Sequence, residues 1–154
     1  MAISTAARVA ANTDPEVNER IRRRTEQSVL YCAGAGPRAV AERLAEVERE
    51  WDVERVIETE APLMALSGIA LGATVHRRFF AVPGVVAAML FLHAVQGWYP
   101  LLPVFRRLGL RTREEIHEER YALKALRGDF AEAAAARGAD AQKRADAVLR
   151  AVRR

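Results

Sequence analysis

Cysteine is nearly absent from this chain: Cys32 stands alone among 154 residues. That excludes an internal disulfide framework and any multi-cysteine zinc site. Histidine is scarce too. His76, His93 and His117 show no metal-ligand spacing with one another or with Cys32, so no metal site is expected. No GxGxxG, Walker or HExxH sequence occurs, which removes the common phosphate-cradling and zinc-hydrolase signatures. Aromatics make up only 6% of the chain and do not alternate with a basic stripe. Without a recognition-helix or RNA-binding motif, nucleic acid is not an expected partner. Clean strand alternation and internal repeats are also missing. The apolar stretch lies mid-chain without a basic segment before it at the terminus, so no signal-peptide layout is expected.

What remains is 51% apolar, too much for a disordered chain. Ala, Arg, Glu and Leu dominate, which favours helix, and the expected fold class is all-α. The length suits one compact domain or a small membrane module. Charge is segregated along it. Residues 1–60 hold 9 basic and 12 acidic side chains, residues 61–105 only Arg77 and Arg78, and residues 106–154 hold 13 basic and 8 acidic ones.

Residues 1–13 read as polar and frayed. Asp14-Pro15 then marks a helix start, with Val17, Ile21, Ser28, Val29 and Cys32 at helical spacing and Gly34-Ala35-Gly36-Pro37 as its stop. A second helix is expected from about Pro37 to Glu60. Val40, Leu44, Val47 and Trp51 form a narrow seam on it, suited to another helix or a second copy. Thr112-Arg113-Glu114-Glu115 fits a capping box that opens a helix with the face Ile116, Leu123, Leu126 and Phe130. A last weak helix over 140–152 would turn Ala145, Val148, Leu149 and Val152 inward.

Between these flanks, Ala61 to Val75 carries no charge, and after His76-Arg77-Arg78 neither does Phe79 to Trp98, apart from His93. A soluble helix needs a polar face, and 61–75 offers only Ser67 and Thr74. Twenty residues at ~1.5 Å each span about 30 Å, the thickness of a hydrocarbon core. The expectation is a transmembrane hairpin within 61–108, with spans of about 61–76 and 79–98, flanked by cytoplasmic helices over 1–60 and 109–154. The first span is short, since fifteen residues reach only ~22 Å.

Arg43, Arg49 and Arg55 before the hairpin and Arg106, Arg107, Arg111 and Arg113 after it outnumber Arg77 and Arg78 in the loop. Both termini are therefore expected in the cytoplasm of a bacterial inner membrane, with Trp98 and Tyr99 at the cytoplasmic interface and the later arginines drawn to anionic lipid. Gly68 and Gly72 in the first span, and Gly84 and Ala88 in the second, repeat a small-xxx-small step that lets helix backbones approach. They serve packing within the hairpin or self-association. His93 and Gln96 are intramembrane polar residues and so functional candidates. His93 would carry a proton or ligand, bond across to Ser67 or Thr74, or merely sit near the interface.

The run Gly97-Trp98-Tyr99-Pro100-Leu101-Leu102-Pro103-Val104-Phe105-Arg106-Arg107-Leu108-Gly109 resembles the YgaP-like inner-membrane transmembrane domain, a two-helix hairpin family of unknown function. The resemblance covers roughly 60–110 and rests on Gly97, Trp98, Pro100, Arg106, Arg107, Leu108 and Gly109. Flanking pieces such as Asn12-Thr13, Val17-Asn18 and Glu50-Trp51-Asp52-Val53-Glu54-Arg55 are similar to longer members. Tyr99 stands where the family pattern commonly has a cysteine, so no thiol chemistry is implied, and the chain lacks the rhodanese module of fused relatives.

Cys32-x5-Arg38 superficially matches a phosphatase loop, but the preceding residues are helix-patterned and Cys32 more simply completes an apolar face. No catalytic residue, cofactor or small-molecule ligand is expected. The expected function is a non-enzymatic membrane module that associates with itself or with another membrane protein in the lipid bilayer. The alternatives are an oligomeric small-solute or proton transporter using His93, and a soluble helical scaffold.

Overall fold

A computed structural model describes residues 8–138 and 140–153. Among them the chain is all-helical, with no strand. The helices are α1 (Arg8–Ala11), α2 (Pro15–Ala35), α3 (Pro37–Val47), α4 (Val53–Thr74), α5 (Ala81–Gln96), α6 (Leu102–Arg107), α7 (Arg113–Arg127), α8 (Ala131–Ala135) and α9 (Ala141–Arg153). Short 3-10 turns cover Arg77–Phe80 and Ala136–Gly138.

Local chemistry sets the breaks. Asp14 accepts the Glu16 amide at 2.9 Å ahead of Pro15, and Gly36 separates α2 from α3 with φ +92, a conformation that favours glycine. The single helix expected over Pro37–Glu60 is two helices. It breaks at Glu48–Asp52 because Asp52 caps α4 instead of continuing α3: its carboxylate accepts the Arg55 amide at 2.6 Å, the bond for which Asp is favoured at such a position. Helix α4 therefore starts well before Ala61. Its 22 residues extend ~33 Å, and its first two turns carry the charges Glu54, Arg55, Glu58 and Glu60 ahead of the uncharged stretch from Ala61.

The apolar helix α5 ends at Gly97, whose φ of +74 suits a helix stop. Of the residues expected to fray, 1–7 lie outside the described ones, while Arg8–Ala11 builds α1 and meets that end together with Asn12. The Arg8 guanidinium donates to the Ala94 carbonyl and, at 3.2 Å, to that of Val95, while Asn12 Nδ2 donates to the Gln96 carbonyl at 2.9 Å. A helix C-terminus leaves its last carbonyls without partners, and a cation there also meets the negative end of the helix dipole. A Cβ on Gly97 would stand 2.5 Å from Arg8 Cβ and 2.8 Å from the Arg8 carbonyl carbon, so only glycine lets α1 come this close.

Gly109 closes α6 in the same left-handed conformation, with φ +89. Its amide bonds the Arg106 carbonyl at 3.0 Å and the Leu110 amide bonds that of Phe105 at 3.1 Å, a Schellman cap. The expected capping box forms: the Glu115 amide reaches Thr112 Oγ1 at 3.3 Å and the Thr112 amide reaches Glu115 Oε2 at 2.8 Å.

Two compact units result, each assembled from segments before and after the hairpin. One comprises the chain up to Arg23 with Trp51–Glu115, the other Arg24–Glu50 with Ile116–Arg154. In the first, Val9, Val53, Ile57, Tyr99 and Leu102 form the core, with Met89, Leu90, Phe105 and Leu110 against it. In the second, Cys32, Val40, Leu44 and Val47 pack with Ile116 and Leu123. Three residues of the expected seam are thus filled by the chain's own α7. Trp51 is outside any helix and 44% exposed, its ring covered by the Arg55 guanidinium at 4.3 Å. On the α7 face Leu126 is exposed. Helix α9 also departs from expectation: it buries Ala147 and Ala151 and leaves Val148, Leu149 and Val152 outward, because methyl side chains let it lie close to the alanine-rich α8.

Candidate functional site

Helices α4 and α5 form an antiparallel pair joined by Val75–Phe80. The inward stripe of α4 is Val53, Ile57, Ala61, Gly68 and Gly72, at steps of four, four, seven and four. Its upper part is glycine because the neighbour is so close. A Cβ on Gly68 would lie 2.6 Å from Val82 Cβ, and one on Gly72 would lie 2.7 Å from the Phe80 ring. Gly84 and Ala88 play no such part: Ala88 is exposed and space around Gly84 is open to 4 Å.

The large apolar side chains point the other way. Leu63 and Leu66 are each 64% exposed and Phe91 67%, and Met64, Ile69, Leu71, Val75, Phe80, Val85 and Val95 are likewise outward. Two helical stretches, Val53–Thr74 and Arg77–Gln96, are long and apolar enough to cross a membrane, and only 22% and 6% of their most apolar windows are buried. A core helix of a water-soluble protein buries most of such a window, so small inside and large outside inverts the soluble pattern.

His93 is half-buried near the end of α5. Its Nδ1 is buried without a hydrogen-bond partner, and its ring lies edge-on to Tyr99 with centroids 6.0 Å apart. The expected bond across the hairpin does not form. The Ser67 and Thr74 hydroxyls donate instead to the carbonyls four residues back in their own helix, Leu63 at 2.8 Å and Ala70 at 2.7 Å, a bond always within reach of a helical hydroxyl. Gln96 is exposed.

Tyr99, expected at the interface beside Trp98, is buried. Its hydroxyl donates to Glu60 Oε2 at 2.6 Å, and burial together with the adjacent carboxylate pushes the phenol up to about 12. Trp98 remains outward.

Arg106 is densely hydrogen-bonded within the first unit. It is 1% exposed, and its N–H groups meet Thr13 Oγ1 (3.2 Å), the Leu110 carbonyl (2.9 Å), Asn18 Oδ1 (2.9 Å) and both Glu115 oxygens (2.7 Å each). The expectation that Arg106, Arg107, Arg111 and Arg113 present a cluster to lipid headgroups therefore needs correction. Arg106 and Arg111 are buried and Arg113 pairs with Asp52 at 3.2 Å; Arg107 and Leu108 are exposed. Thr13 and Asn18, the hub's distant partners, carry no periodicity in the sequence that would pair them with Arg106.

In the second unit Glu119 is fully buried and accepts from Arg43 Nε at 2.8 Å, from its NH2 at 3.1 Å and from the Ser28 hydroxyl. Those bonds raise the Arg43 guanidinium further above its ordinary range. Lys124, also buried, donates to the Val152 carbonyl at 3.3 Å, and burial lowers its ammonium. Burial pushes the Cys32 thiol up. Cys32 lies within α2 and Arg38 pairs with Glu42 at 2.8 Å, an arrangement unlike a thiolate–phosphate loop. Among the described residues no group of His, Cys, Asp and Glu is placed to hold a metal ion.

No family model matches the chain, and no curated protein or solved structure matches it significantly.

Proposed function

We propose that the chain is a bacterial inner-membrane protein whose segments Val53–Thr74 and Arg77–Gln96 cross the bilayer as a hairpin, and that it acts as a non-enzymatic module for self-association or for binding another membrane protein. The observation that carries the reading is the outward display of apolar side chains. Eleven of them, from Leu63 to Val95, are 37–67% exposed. At roughly 1 kcal/mol for each half-exposed side chain in water, their total is on the order of 10 kcal/mol, as large as the net stability of a typical domain. Lipid tails remove that cost. The glycines between the helices fit the close packing that replaces hydrophobic drive in lipid, and the YgaP-like reading of residues 60–110 belongs to the same proposal.

Packing supports an even number of crossings: Val40, Leu44 and Val47, before the hairpin, share a core with Ile116 and Leu123, after it, which suits both flanks lying on one side of a bilayer. The arginine count favours the cytoplasm as that side. The rule reads the nascent chain, before Arg106 and Arg111 find their partners. Carbonate extraction of membranes tests the reading: the chain should stay in the pellet and need detergent to leave it. A chain that is monodisperse in plain buffer overturns it in favour of a soluble scaffold.

The unpartnered Nδ1 of His93 favours one second reading, a proton or small-solute path through several copies. Vesicle flux that falls on His93→Ala would select it, since a scaffold has no such dependence.

A further inference from the structure

Immediately after the second apolar helix the chain turns into α6, and this short helix has two unlike sides. At about 100° per residue, Leu102 and Arg106 share one side, and both are buried against their own unit. Leu101, Val104 and Leu108 fall within an arc of about 60° on the other side, where they are 37%, 51% and 75% exposed. Trp98, 44% exposed, precedes them two residues beyond the end of α5. Arg107 is exposed next to this stripe.

We propose that Trp98–Leu108 is an in-plane foot: α6 lies along the cytoplasmic face of the bilayer, with Leu101, Val104 and Leu108 in the headgroup–acyl boundary and Arg107 against lipid phosphate. The inference rests on the hairpin reading and adds a lipid-binding surface outside the spans. Three observations choose lipid as the occupant. The stripe continues directly from the apolar surface of α5, so whatever solvates Val95 is within a few residues of Trp98. From Gly97 to Arg113 the sequence has no acidic residue and Arg107 is exposed, which suits anionic headgroups and opposes a basic partner. Arg107, exposed beside the stripe, is a long cation on an apolar stem, a form able to keep its charge at phosphate level while its stem lies in the boundary. Since Arg106 is held by Glu115, Thr13 and Asn18, the inner side of α6 is fixed and its outer side has a defined aspect. The foot is therefore pre-formed and does not fold on contact.

The test uses the full chain in phosphatidylcholine–phosphatidylglycerol vesicles with lipids brominated either near the headgroup or near the chain end. In a background carrying Trp51→Phe and Trp98→Phe, Leu108→Trp and Val104→Trp report on the foot and Val85→Trp on the middle of the hairpin. The foot reporters should be quenched at least about twofold more by shallow than by deep bromine, and Val85→Trp more by deep. If Val85→Trp is quenched and neither foot reporter is, the foot is overturned while the hairpin stands, and a protein covers the stripe instead. Deep quenching of the foot reporters also overturns the proposal, because α6 would then continue the span. If no reporter is quenched at either depth, the hairpin reading itself falls.

Discussion

A buried guanidinium is tolerated only when its donors are satisfied, and Arg106 achieves this with four different residues brought from two distant parts of the sequence. Breaking a buried pair leaves the partner charge uncompensated and costs roughly 3–5 kcal/mol. Arg106→Met should accordingly lower the thermal midpoint in detergent sharply, with Arg107→Met, at an exposed position, changing it little. Equal effects would mean that the hub is not what holds this end of the hairpin. Tyr99 gives a pH signature. Its phenol is held protonated when folded, at about 12 against an ordinary value near 10. Its stabilising contribution is complete below pH 10 and is lost as the pH climbs towards 12. The advantage of the native chain over Tyr99→Phe in thermal melts should narrow across that window, whereas a gap independent of pH would dismiss the Glu60 bond as its source. Arg106 was visible in the sequence as part of a motif, but its role was not: a contact across 93 residues to Thr13 has no local periodicity to announce it.

At the scale of elements, the glycines divide by what they face. Gly68 meets Val82 while Gly84 meets open space, so the same small-xxx-small spacing has a packing role on α4 and none within the hairpin on α5. Gly68→Val should destabilise the helix pair by about 1–3 kcal/mol, the usual range for overpacking, read as a lower unfolding midpoint in micelles. Gly84→Val should leave that midpoint within error. Equal losses would place the helix contact on the wrong face. Most helices were legible from capping and spacing: Pro15, Gly36 and the Thr112–Glu115 box act where the sequence puts them, whereas the second apolar helix, expected to run to Trp98, stops at Gln96 because Gly97 turns left-handed. The α3–α4 break was not, because Val40, Leu44, Val47 and Trp51 keep helical spacing through it. The competing signal, Asp52 as a cap, depends on whether the chain prefers to turn there. Helix α9 was misread for a related reason, as bulk does not decide which face turns inward when the neighbour is a run of alanines.

For the molecule as a whole, residues on both sides of the helix pair share each unit, so the proposed membrane reading requires α4 and α5 to cross together and return the chain to the side it left. His76→Cys in the loop should react with a membrane-impermeant maleimide added to intact cells. Native Cys32, 2% exposed and with its thiol pushed up, should react only after denaturation, because the thiolate is the reacting form. Loop labelling that appears only after lysis would invert the orientation.

The shared core of Cys32, Val40, Leu44 and Val47 with Ile116 and Leu123 also sets a timetable. During synthesis α2 and α3 emerge first, and the part of their apolar stripe that α7 covers must wait until both hairpin helices have been made. That interval of close to seventy residues exposes the stripe to ribosome-bound chaperones and to neighbouring nascent chains. Synthesis of the helix pair is thereby a prerequisite for completing the domain that begins before it.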